Sequence, residues 1–198
     1  MDKKTSEFVP FLAGVIGHPI SHSKSPKLHN YWLSKYNING HYIPLSITTE
    51  KLKNSIKSLI DLGFRGVNIT IPHKTNVLSL ADSVTDRAAL IGAANTLYFS
   101  KSGTVHADNT DGYGFIQNII DEIPDYDFYD KTAIIYGAGG SARAIASALI
   151  SNGIKEVGIT NRTRSKAQII SESLGAKVSV VDWRTAPETV AAVDIIIN

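Results

Sequence analysis

The stretch Lys131-Thr132-Ala133-Ile134-Ile135-Tyr136, running straight into Gly137-Ala138-Gly139-Gly140-Ser141-Ala142-Arg143-Ala144, restricts the fold of this chain more than any other. A short apolar, β-branched run has the length of a buried strand, and an alanine-rich run after a glycine turn reads as a helix. Strand, glycine turn, helix and second strand, in that order, open a doubly wound α/β unit. Gly137 then allows the tight turn, and Gly139 and Gly140 let the backbone approach a pyrophosphate. The first N–H groups of the helix and its dipole favour an anion there. Ala142 takes the third glycine's place, which the pattern allows. Gly137, Ala138, Gly139, Gly140 and Ser141 are therefore candidate dinucleotide-binding residues, the other reading being a glycine-rich turn of an unrelated α/β fold.

The end of the second strand discriminates between cofactors. An acidic residue there would accept from a free ribose 2′-hydroxyl. This chain has Asn161-Arg162-Thr163-Arg164-Ser165-Lys166 instead. Cations at a helix start oppose the helix dipole and need another partner. A 2′-phosphate is such a partner, so Asn161, Arg162, Thr163, Arg164 and Lys166 point to NADP. The alternative is a solvated helix start.

Elsewhere, strand-length apolar runs alternate with helix-length periodic segments, which predicts α/β architecture with parallel sheets. Strands are expected at Phe11 to Ile16, His41 to Ile47, Arg65 to Ile71, Thr132 to Tyr136, Glu156 to Thr160, Lys177 to Val181 and Val193 to Ile197. A hairpin is expected at Thr96 to Phe99 and Thr104 to Ala107, around Lys101-Ser102-Gly103. Helices are expected from Pro26 to Tyr36 and from Asp111 to Ile123, with short ones between His73 and Ile91. Another runs from a Thr48 or Thr49 cap to Gly63, with Leu52, Ile56, Leu59 and Ile60 as its apolar stripe. On the third strand Val67, Ile69 and Ile71 share one face, Asn68 and Thr70 the other. The acidic stretch Asp125 to Asp130 reads as a linker or domain edge. A doubly wound sheet usually continues past its fourth strand, so the end at Asn198 predicts a chain cut short.

Composition narrows the partners. The chain has no cysteine, which excludes disulfides, thiolate–zinc sites and cysteine nucleophiles. Its net charge of +2 is spread without a polybasic run, so nothing marks it for nucleic acid. Lys3 and Lys4 before the apolar run from Phe8 to Ile16 mimic a signal peptide, but Pro10 and Gly14 interrupt the run and no small-x-small site follows. No stretch is long enough to span a bilayer, and a cytoplasmic location is expected. His18 and His22 are separated by Pro19 and no Glu lies between them, so a metal site is not expected.

Ser21 and Ser23 lie in the loop after the first strand. Asn68 and Thr70 share one face of the third strand, Lys74 follows Pro72 just past its end, Asn95 precedes a strand, and Asp111 sits at the entrance of the second half. Open α/β sheets bind ligands beyond the carboxyl ends of their strands, where Ser21, Ser23, Thr70 and Lys74 would project. Taken singly, each has a bland reading as turn former, wet strand face, surface charge or helix cap.

Taken together, the runs resemble a known family. Gly17-His18-Pro19-Ile20-Ser21-His22-Ser23-Lys24-Ser25-Pro26 with Leu28-His29-Asn30, then Gly66-Val67-Asn68-Ile69-Thr70-Ile71-Pro72-His73-Lys74, then Gly92-Ala93-Ala94-Asn95-Thr96 and Asn109-Thr110-Asp111-Gly112 resemble successive motifs of shikimate dehydrogenases. Gly137-Ala138-Gly139-Gly140 and Asn161-Arg162-Thr163 complete the order. The resemblance implies an N-terminal α/β substrate-binding domain, 1–110, followed by a Rossmann-type NADP-binding domain, 111–198, incomplete at its C-terminus. It implies NADPH-dependent, reversible reduction of 3-dehydroshikimate to shikimate in aromatic amino-acid biosynthesis, by a monomer or homodimer. Ser21 and Ser23 would bind the substrate carboxylate, and Asn68, Thr70 and Asn95 its ring hydroxyls or nearby groups. Lys74 and Asp111 would be the catalytic pair, and Asp86 would lie at the cofactor. Two departures stand out. Lys166 takes a place where the family often has arginine, offering charge without a bidentate fork. The family continues past the position of Asn198 to a substrate-contacting glutamine, so impaired activity is expected of this chain. A quinate/shikimate dehydrogenase and a non-catalytic binding protein on the same scaffold are the alternatives.

Overall fold

Two sheets with separate cores organise the chain in the computed structural model, which describes residues 10–198; Lys3, Lys4, Phe8 and Val9 lie outside the described residues. One unit is the chain up to Ala88 together with Ala94–Asp108, and the other is Ala89–Ala93 with Asn109–Asn198.

In the first unit β1 (Phe11–Gly17), β2 (Gly40–Ser46), β3 (Phe64–Ile69), β4 (Ser83–Val84), β5 (Thr96–Phe99) and β6 (Val105–Asp108) form a six-stranded sheet in the order β2-β1-β3-β5-β6-β4. β1 runs parallel to β2 and β3, whereas β5 is antiparallel to both β3 and β6. The sheet is thus mixed, where the alternation of elements predicted parallel strands. The hairpin is the cause: Gly103, at φ +85, turns the chain, and strands joined by so short a turn must run antiparallel. β4, which no apolar run announces, pairs parallel with β6 at the sheet edge.

α1 (Ser25–Lys35) carries Pro26 in its first turn, where a missing N–H costs nothing. α2 (Leu52–Asp61) buries Leu52, Ile56 and Leu59 in one core with Val67, Ile69, Leu97 and Phe99. Each such side chain contributes roughly 1.5–3 kcal/mol. Two expectations fail here. Thr48 is an extended residue ahead of a short 3-10 turn, and its side chain caps no backbone amide. It bonds the Glu50 carboxylate instead and helps to hold that group below its usual pKa. Ile71 is 75% exposed rather than buried with Val67 and Ile69. The ladder ends at Ile69 because Pro72 has no N–H to continue it, and the chain turns away.

In the second unit α4 (Asp111–Glu122) precedes β7 (Thr132–Tyr136), α5 (Gly140–Ser151), β8 (Glu156–Thr160), α6 (Arg164–Leu174), β9 (Val178–Val180), α7 (Ala186–Thr189) and β10 (Ile195–Ile197). The four strands are parallel in the order β10-β7-β8-β9, the doubly wound half-sheet that the glycine turn predicts. Ala133, Ile135, Val157 and Ile159 from the strands pack with Ala142, Ala146 and Leu149 of α5 and with Ala167 and Ile170 of α6. α4 meets α5 through Gly112, where a Cβ would stand 2.6 Å from the Ala144 carbonyl oxygen. Among the described residues no helix is long and apolar enough to cross a membrane.

Candidate active site

The loop after β1, the turn after β3 and the end of β2 are laced together by backbone. Thr70 N–H donates to Ile16 O at 2.9 Å, His18 N–H to Ile71 O at 3.0 Å, and Ile47 N–H to Gly17 O at 3.2 Å. Ser21 is exposed and Ser23 half-buried in the first of these segments, while Thr70 and Lys74 are half-buried in the second. Ile20, 5% exposed, anchors the serine loop, and Ser23 N–H donates to its carbonyl at 3.0 Å. The Lys74 carbonyl accepts from Ala94 N–H at 2.7 Å. His73 locks the arrangement from inside: it is fully buried, and its Nε2 lies 2.7 Å from Ile47 O. A carbonyl can only accept, so Nε2 carries the hydrogen, which leaves Nδ1 as a buried atom without a partner.

Asn68 and Asn95, far apart in sequence, belong to one network. Tyr42 OH donates to Asn68 Oδ1 at 2.7 Å. Asn68 Nδ2 donates to Asn95 O at 3.3 Å and to Thr96 Oγ1 at 3.2 Å. Thr96 Oγ1 donates in turn to Asn95 Oδ1 at 2.9 Å. Burial pushes the Tyr42 phenol well above the usual tyrosine range. His29 stacks on Tyr42 with ring centroids 4.1 Å apart, and burial lowers its pKa. Tyr42 is itself fixed by Asn30, whose Oδ1 accepts the Tyr42 N–H at 3.0 Å and whose Nδ2 donates to Tyr42 O at 2.8 Å. Sequence reading passed over Tyr42 and Thr96. Their place in β2 and β5 was legible, but the partner of each hydroxyl was not. Asp86 opens α3 (Asp86–Ile91) and is exposed.

In the second unit Asp111 is the first residue of α4, with its N–H donating to Asn109 Oδ1 at 3.0 Å. Its Oδ2 accepts from Ser141 Oγ at 3.1 Å. Gly137, at φ +126, takes a backbone conformation that L side chains rarely adopt, and its N–H donates to Thr160 O at 2.8 Å. A Cβ built on Gly137 or Gly139 would meet no heavy atom within 4 Å. The backbone ahead of α5 is therefore open to a close-fitting group, as a pyrophosphate requires. At the end of β8, Asn161 Nδ2 donates to Thr163 O at 2.8 Å, shaping the turn that exposes Arg162, Arg164 and Lys166. Arg164 lies 3.6 Å from Asp182. Donor set and open backbone fit a dinucleotide with a 2′-phosphate. Thr160, fully buried at the strand end with no partner for its Oγ1, had no signal in the sequence.

Residues 15–97 match the family model described as the shikimate dehydrogenase substrate binding domain, and residues 118–198 the model described as shikimate / quinate 5-dehydrogenase. The NADP(+) shikimate dehydrogenase of Jannaschia sp. (strain CCS1) is 50% identical over 98% of this chain and 69% of its own length. That of Ruegeria sp. (strain TM1040) is 48% identical over 94% of this chain and 68% of its own. Among solved structures, the shikimate dehydrogenase of Aquifex aeolicus is 34% identical, with a TM-score of 0.86 over 94% of this chain and 67% of its own. The chain thus spans about two thirds of the length of each of these relatives.

Proposed function

We propose, since this chain belongs to the shikimate dehydrogenase family, that it serves the NADP-dependent interconversion of 3-dehydroshikimate and shikimate, the step of aromatic amino-acid biosynthesis that reduces a ring ketone. Residues 1–110 are the substrate half and 111–198 the nucleotide half. The reading is supported most by one feature: the turn that ends β8 exposes Arg162, Arg164 and Lys166, in a chain about half identical to enzymes named for NADP(+).

Bound NADPH would supply hydride to the carbonyl carbon. Gly137, Ala138, Gly139, Gly140 and Ser141 would hold its pyrophosphate, and Asn161, Arg162, Thr163, Arg164 and Lys166 its 2′-phosphate. Asp86 is assigned to the nucleotide on family resemblance alone. Ser21 and Ser23 bind the substrate carboxylate; Asn68, Thr70 and Asn95 take up hydroxyl groups. A site made of so many hydrogen-bonding groups rejects analogues that leave them unpaired. As negative charge develops on the ketone oxygen, Lys74 stabilises it and donates a proton, and Asp111 completes the acid–base pair. In the reverse direction the same groups withdraw the hydroxyl proton.

The test is the appearance of reduced nicotinamide absorbance with shikimate and NADP. It is run on this chain and on a fusion that adds the last third of the Jannaschia relative. Shikimate should be turned over in preference to quinate, and NADP used in preference to NAD. Quinate as the better substrate would favour the quinate/shikimate alternative. Folded protein without turnover in either form would overturn the reading.

A further inference from the structure

Asn109 is 1% exposed, in the short segment between β6 and α4. Both ends of its carboxamide are engaged: Nδ2 donates to the Ala93 carbonyl at 2.8 Å, and Oδ1 accepts the Asp111 N–H at 3.0 Å. The first amides of a helix have no partner within the helix, and Asn109 supplies one to the residue whose carboxylate matters. Asp111 is then held on two further sides. Ser141 Oγ reaches its Oδ2 at 3.1 Å, and the next residue, Gly112, sits where a Cβ would be 2.6 Å from the Ala144 carbonyl oxygen. A side chain at the free start of a helix would otherwise swing with the first turn.

We propose that Asn109 is a positioning residue for Asp111, fixing the helix start so that the carboxylate keeps one orientation. This rests on Asp111 being the acid–base partner assigned above. Buried amide–carbonyl bonds of this kind also stabilise the fold, so the experiment must separate the two effects. Asn109→Ser keeps an oxygen able to accept the amide two residues on, in a local turn, but cannot reach Ala93. Asn109→Ala loses both contacts.

The variants Asn109→Ala, Asn109→Ser and Asp111→Asn are assayed in whichever form turns over, with amide hydrogen exchange at Asp111 followed in parallel. In Asn109→Ala we expect kcat to fall on the order of tenfold to a hundredfold, as misplaced catalytic groups do. KM for shikimate and for NADP should change little, and the Asp111 amide should exchange faster. Asn109→Ser should restore most of kcat and the amide protection. An Asn109→Ser as impaired as Asn109→Ala would overturn the proposal, because the Ala93 contact would then be the one that matters. So would an Asn109→Ala with unchanged kcat and unchanged exchange. Full turnover in Asp111→Asn would instead remove the assignment of Asp111 itself. An inactive Asp111→Asn beside a fully active Asn109→Ala would remove only the present inference.

Discussion

At Tyr42 a residue outside the proposed site fixes Asn68, which is assigned to it. Its hydroxyl holds Asn68 Oδ1 at 2.7 Å, and burial raises its pKa. Tyr42→Phe keeps the stacked ring and removes that donor. The expected result is a stability loss of about 1 kcal/mol by urea denaturation, and a several-fold rise in KM for shikimate with kcat nearly kept, since a binding group loses its orientation. The sign of the pH effect follows from the raised folded pKa. Stability from this group is fully present below the unfolded tyrosine pKa of about 10 and is lost as pH rises through the higher folded value. In a spectroscopic titration of the phenolates, one tyrosine should therefore resist ionisation until the protein unfolds, and Tyr42→Phe should abolish that late step. Neither this role nor that of His73 was legible in the sequence. Asn68 lies 26 residues from Tyr42, and Ile47 lies 26 residues from His73. Pairings of that range are made by the sheet, not by local pattern.

Elements were legible where one cause dominated. β7 and β8 fall where they were expected, because the middle of a strand covered on both faces must be apolar, as Ala133, Ile134 and Ile135 are in β7 and Val157 and Ile159 in β8. β3 ended early because Pro72 outweighed the apolar pattern, and β4 escaped because a two-residue edge strand has no periodicity to read. The turn after β8 carries the cofactor prediction. Arg162→Glu, with Lys166→Glu beside it, should lower kcat/KM for NADP at least tenfold to a hundredfold and leave NAD nearly unaffected, since repulsion replaces attraction only where a 2′-phosphate is present. Equal losses with both dinucleotides would refute it. At the sheet edge, Asp194 Oδ2 accepts from Thr132 N–H at 2.9 Å and Oγ1–H at 3.0 Å, with Lys131 nearby, and these contacts depress its pKa. A depressed carboxylate adds stability above its unfolded pKa and loses it as pH falls through the folded value. Protection of the β10 amides should then drop at acid pH before that of β7, and Asp194→Ala should remove the difference.

For the whole molecule, the two units have cores built from different residues. Ile69, Val67 and Leu97 pack in one, and Ile135, Ile159 and Leu149 in the other. The proposed substrate-binding residues Ser21, Ser23, Asn68, Thr70 and Asn95 belong to the first unit, and the proposed nucleotide-binding residues, Asp86 apart, to the second. A ligand stabilises what it binds by RT ln(1 + [L]/Kd), about 2.7 kcal/mol at a hundredfold excess over Kd. Amides that exchange only when their own unit opens should then slow by roughly a hundredfold. Shikimate alone should thus protect Val67 and Ile69, whereas 2′,5′-ADP, which carries the 2′-phosphate without the nicotinamide, should protect Ile134 and Ile159. If the units open independently, each ligand leaves the other set unchanged. Protection of both sets by either ligand would mean that the units open together. Protection by 2′,5′-ADP of the first set alone would place the nucleotide on the wrong half of the chain and sink the division at residue 110.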